Sequence, residues 1–138
     1  MRLEKGLNLL KRISDSAAEF LSEQDEILFL DGLTALSDAA AESFSKHQCG
    51  LGLDGLNKLS DAAAESLSKS KGELELPGVT ELSDAAAESL SKHQGKLYLG
   101  VTELSDAAAE SLSKSKGEIN GQSPPEWVAA ISKKGTAS

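Results

Sequence analysis

The sequence predicts an α/β repeat solenoid of parallel strands and short helices, and three observations carry that prediction. A Ser-Asp pair recurs at Ser14-Asp15, Ser37-Asp38, Ser60-Asp61, Ser83-Asp84 and Ser105-Asp106, with spacings of 23, 23, 23 and 22 residues. Within each spacing the hydrophobic period lengthens partway, as a strand followed by a helix requires. Candidate cap and stop residues return at the same places in each copy. Such a period is too short for a domain and too long for a heptad. It fits one strand, one helix and two turns, stacked on the neighbouring units.

Each strand is read from alternation. Leu28-Phe29-Leu30, Leu74-Glu75-Leu76 and Leu97-Tyr98-Leu99 put their leucines on one side and the middle residue on the other. Each helix is read from fourfold spacing: Leu36/Ala40/Phe44, Leu59/Ala63/Leu67, Leu82/Ala86/Leu90 and Leu104/Ala108/Leu112 each line one helical face. The alanine triplets favour helix and allow close approach to the strand layer. Ser-Asp at the helix start is N-cap chemistry, with either residue able to serve. Asp61 and Glu65 early in the helix, and Lys69 and Lys71 late, are expected to complement the helix dipole. Gly50, Gly72, Gly95 and Gly117 are expected to supply left-handed helix stops.

The two ends differ. Leu7, Leu10 and Ile13 match Leu30, Leu33 and Leu36, but Lys5 occupies the place of Leu28. The first unit is therefore expected to be incomplete, its strand an open edge able to recruit another chain. At the other end Ser123-Pro124-Pro125-Glu126 has capping-box spacing, and Trp127 and Ile131 fall four apart ahead of Lys133, Lys134 and Gly135. Trp127 is expected to lie as a lid on the last unit. The expected organisation is a solenoid over 1–121 with five units of 22–23 residues, a capping helix over 122–135 and a tail over 136–138.

The unit L-x-L-x-G-[LV]-T-x-L-S-D-x-A-A-E-x-L resembles a leucine-rich repeat of a compact bacterial variety, over about residues 5 to 121. The stretch Leu74-Glu75-Leu76-Pro77-Gly78-Val79-Thr80-Glu81-Leu82 is similar to repeats of the BspA-like class of bacterial surface proteins. Ser-Asp replaces a usual Gly, and the Asn that follows the strand in the wider family is absent. The resemblance implies a right-handed solenoid with its parallel sheet on the concave face and helices on the convex face. It implies no catalytic residue.

Composition narrows the function classes. Twenty-two acidic against 14 basic residues give a net charge of −8, which opposes binding to nucleic-acid phosphates. No apolar run approaches the roughly 20 residues of a membrane helix, and Met1-Arg2-Leu3-Glu4-Lys5-Gly6 lacks signal-peptide character, so a cytoplasmic location is expected. The single Cys49 has His47 nearby but no third group to orient a base, and no phosphate-binding fingerprint is present. No enzyme, cofactor or metal is expected. His47 and His93, two units apart, are read as exposed residues at helix ends and as too far apart to share a zinc ion. The Asp38, Asp61, Asp84, Asp106 series is read as helix capping rather than a calcium stack. Alternation of His47-Gln48, Ser70-Lys71, His93-Gln94 and Ser115-Lys116 is read as the trace of a duplicated two-unit block.

The freely varying positions are those between the strand leucines. The central column reads Phe29, Gly52, Glu75, Tyr98 and then Asn120; the column before it reads Ile27, Gly50, Glu73, Lys96 and Glu118; the one after it begins Asp31, Asp54, Pro77. Strand spacing puts Phe29 and Tyr98 about 14 Å apart, with acids between them and a dent at Gly52. Aromatics beside charge suit a contact surface. The expected function is a non-catalytic scaffold that binds a basic or mixed-charge protein or peptide through Phe29, Glu73, Glu75, Lys96 and Tyr98. The alternative is an assembly module forming a homo-oligomer through its first strand.

Overall fold

A computed structural model of the chain describes residues 14–136, with side chains through 131. Helices and strands alternate: α1 (Asp15–Ser22), β1 (Leu28–Phe29), α2 (Asp38–Phe44), β2 (Leu51–Gly52), α3 (Asp61–Leu67), β3 (Leu74–Leu76), α4 (Asp84–Leu90), β4 (Leu97–Leu99), α5 (Asp106–Ser113) and α6 (Pro124–Thr136). The four strands form one parallel sheet in chain order. Register is strict, with Leu28, Leu51, Leu74 and Leu97 in one row and Phe29, Gly52, Glu75 and Tyr98 in the next. The expected first strand and Leu7 lie outside the described residues.

One core runs the length of the stack. The strand leucines bury against Ala40 and Ala41, Ala63 and Ala64, and Ala86 and Ala87, with Phe44, Leu67 and Leu90 completing each layer. Each fully buried leucine contributes about 1.5–3 kcal/mol relative to an exposed one. Leu36, Leu59, Leu82 and Leu104 pack against this core while remaining half-buried.

Ser, not Asp, is the N-cap. Ser14, Ser37, Ser60, Ser83 and Ser105 are extended, and each hydroxyl accepts from the amide three residues on. The aspartates do more than complement the dipole. Ser37 Oγ donates to Asp15 Oδ1 at 2.8 Å and Ser60 Oγ to Asp38 Oδ1 at 2.6 Å, while Ser83 and Ser105 bond Asp61 and Asp84 in the same way. The Ser-Asp pair thus caps its own helix and ties it to the next unit.

Three local expectations are corrected. The lysines do not sit in the last helical turn: α3 ends at Leu67, ahead of Lys69 and Lys71, and its final turn holds no basic residue. Of the four presumed stop glycines, only Gly72 has a left-handed backbone, at φ +85. Gly95 and Gly117 serve close approach instead. A Cβ on Gly95 would lie 2.2 Å from the Gly72 carbonyl oxygen, and one on Gly117 would lie 2.1 Å from that of Gly95. The glycine column is where backbones of successive units touch.

The third correction concerns the histidines. His47 and His93 are wholly buried, not exposed. Nδ1 and Nε2 of His93 lie 3.2 Å and 2.9 Å from the carbonyl oxygens of Ser68 and Gly72, and His47 repeats this geometry on Ser22 and Glu26. Where serine replaces histidine, Ser70 turns back to its own Leu67 carbonyl and the Lys71 amide bonds the His47 carbonyl. The two-unit alternation is therefore also a change of inter-unit contact.

Beyond β4 the sheet is closed. Ile119 bridges Leu97 in parallel and Gln122 in antiparallel fashion. Asn120, expected as a fifth member of the central column, has φ 51, and its side-chain amide pairs with the backbone N–H and carbonyl of Leu99 at 2.8 and 2.9 Å. That amide stands in for the next strand. Helix α6 then covers the last layer with Trp127, only 3% exposed, and Ile131.

Candidate functional site

The candidate site is the sheet face turned away from the core leucines. Alternation along each short strand places Phe29, Glu75 and Tyr98 there, all half-buried, since their neighbours Leu28, Leu74, Leu76, Leu97 and Leu99 point into the core. Ile27 and Glu73 precede their strands by one residue and share the face; Ile27 remains 47% exposed.

Gly52 leaves no open dent. A Cβ placed on it would lie 2.9 Å from Phe29 Cδ1 and 3.2 Å from Glu75 Oε2, so ring and carboxylate lean over the glycine from opposite sides. Phe29 and Glu75 are thereby brought together, across a strand that carries no side chain on this face. Tyr98 stands next to Glu75 in register. Phe29 and Tyr98 are thus three strands apart with the acid between them.

Electrostatically the face is one-signed around Glu75. Burial and the neighbouring Asp54, Glu73 and Asp31 push the Glu75 carboxyl above its ordinary value. Burial and Asp31 do the same to Asp54. Lys96 does not relieve this charge. Its Nζ lies 3.8 Å from Glu118 Oε1, on the side away from Glu73, with both side chains 52% exposed. A pair that exposed contributes little to stability.

The expected site residues therefore divide. Phe29, Glu73, Glu75 and Tyr98 share one acidic, part-aromatic surface, whereas Lys96 is occupied at its margin. Asp31 and Asp54 belong to the surface electrostatically, and the column that follows the strand leucines signals them in the sequence. Among the described residues, no group of three or more His, Cys, Asp and Glu side chains could hold a metal ion. No described helix is long and apolar enough to cross a membrane.

No family model, curated protein or solved structure matches the chain.

Proposed function

We propose that the chain is a non-catalytic interaction module of the leucine-rich-repeat type, cytoplasmic, with its sheet on the concave side of a right-handed solenoid. Its partner is a protein or peptide carrying positive charge, bound across the sheet face. The carrying observation is the gathering of Asp54, Glu73 and Asp31 around Glu75 on the face that also carries Phe29 and Tyr98, where burial first and these like charges second hold the Glu75 carboxyl above its ordinary value. A cationic partner neutralises charges that repel one another in the free protein, and half-exposed Phe29 and Tyr98 add contact area at low ordering cost. The strict register and continuous core pre-organise these side chains.

The test is selection of peptides from a random library on the purified chain. Cationic sequences are expected to emerge, and the double substitution Phe29→Ala with Tyr98→Ala should abolish their capture. Neutral or acidic selections, or binding that survives both substitutions, would overturn the reading. Self-association through the first strand is a separate proposal. A constant monomer mass by light scattering over a roughly hundredfold concentration range would close it, whereas oligomers that Leu7→Pro dissolves would establish it.

A further inference from the structure

The sheet face contains a trough whose two walls differ in chemistry. Its floor is the backbone of Gly50 and Leu51 where β2 begins, and Gly50 presents no side chain there. One wall is Ile27 and Phe29 on the β1 side, and the other is Glu73 and Glu75 on the β3 side. The backbones that carry the walls stand two strand spacings apart, about 10 Å, and the Phe29 ring and Glu75 carboxylate close toward each other over Gly52. Ile27, Phe29, Glu73 and Glu75, with Gly50, Leu51 and Gly72 beneath them, line a hollow of about 510 Å³.

Gly50 is the informative residue. Its backbone is not left-handed, and a Cβ there would find only ordinary contacts, 3.4 Å to the Glu73 carbonyl oxygen and 3.6 Å to Ile27 Cγ2. Neither conformation nor space demands glycine, in contrast to Gly95 and Gly117. A glycine beside a strand often marks a site where a ligand or another backbone approaches closely. Phe29 and Glu75 lean together over Gly52, so the hollow extends toward Gly50, whose own backbone is buried beneath it.

Resting on the reading of this face as a binding surface, we propose that the trough receives an arginine side chain from an extended peptide. Its methylene stem lies along Ile27 and Phe29, and its guanidinium faces Glu73 and Glu75. Arginine divides its length into an apolar stem and a cationic head, as the two walls require. Its planar head also stacks on an aromatic ring and forks onto carboxylates, which an ammonium does not. The nearest cation in the same column, Lys96, is drawn to Glu118 and leaves the acidic wall to a ligand.

The experiment is a nitrogen–proton correlation titration of the full chain with acetyl-Gly-Arg-Gly-Arg-Gly-amide, its lysine counterpart and its uncharged citrulline counterpart. Shifts are expected to centre on the amides of Gly50, Leu51, Gly52 and Gly72, with arginine binding several-fold tighter than lysine and citrulline not binding. Gly50→Val, which fills the floor, and Glu73→Gln, which leaves it open, should each weaken arginine binding at least tenfold while spectral dispersion is kept. Shifts centred on Tyr98 and unaltered by Gly50→Val would overturn the trough but leave the wider face as the binding surface. An absence of shifts on the sheet face with every cationic peptide would overturn both.

Discussion

The Nε2 atom of His93 lies 2.9 Å from the carbonyl oxygen of Gly72 in the preceding unit, and His47 meets the Glu26 carbonyl at the same distance. The His93 Nδ1 contact with the Ser68 carbonyl oxygen at 3.2 Å is buried, and a buried carbonyl that loses its partner costs about 1–3 kcal/mol, because water cannot replace the donor. His93→Ser installs the residue found at positions 70 and 115, whose side chain is too short to reach the neighbouring unit. It should lower stability by roughly that amount in urea unfolding. An unchanged midpoint would show that the histidine contact carries no stability.

The Ser-Asp pairs separate two contributions. Ser83→Ala removes both the helix cap and the bond to Asp61, and should cost about 0.5–2 kcal/mol for the cap plus the coupling. Asp61→Ala removes the inter-unit acceptor together with the first-turn acid of α3, and leaves the Ser83 cap in place. A double-mutant cycle by urea denaturation measures the coupling, which should be about 0.5–1.5 kcal/mol. A coupling of zero would reduce the pair to simple capping.

Two glycines with similar positions in their units should respond oppositely to alanine. Gly95→Ala forces a methyl group to within 2.2 Å of the Gly72 carbonyl oxygen and should destabilise by about 1–3 kcal/mol. Gly50→Ala meets no such obstacle and should stabilise by about 0.4–1 kcal/mol through the unfolded chain. Thermal unfolding of the two variants against the parent decides this, and equal losses would refute the distinction.

The acidic face should make stability depend on pH in a definite direction. Glu75 and Asp54 have native values above the ordinary 4.5 and 3.8, so the folded protein binds these protons more tightly than the unfolded chain. Ionised, both groups therefore subtract from stability at neutral pH, and the penalty fades as pH falls through the raised native values toward the ordinary ones. Glu75→Gln should raise the urea midpoint at neutral pH, with the gain vanishing below the ordinary glutamate value. A gain that persists in acid would mean the glutamate harms stability for a reason other than charge.

Trp127 is the closing side chain of the core. Trp127→Ala should cost about 3–5 kcal/mol if the global unfolding unit includes α6. Hydrogen exchange read residue by residue should show loss of protection greatest at Leu97, Leu99 and Ile119 and smaller toward β2. Uniform loss would show that the stack unfolds as a single unit.

What the sequence alone determined is whatever repeats. The 22–23-residue period, the alternation at Leu74-Glu75-Leu76 and the fourfold spacing of Leu82, Ala86 and Leu90 are local patterns, and secondary structure answers to local patterns. The parallel sheet with intervening helices was legible for that reason, and so was the outward placement of Phe29, Glu75 and Tyr98. The tertiary structure decided what lies between units. Burial of His47 and His93, the bond from Ser83 to Asp61, the backbone contact beneath Gly95, the turn of Asn120 back onto Leu99 and the pairing of Lys96 with Glu118 each join residues about 20 or more apart in sequence. Their partners depend on how one unit is set against the next, a relation that no window within a single unit contains.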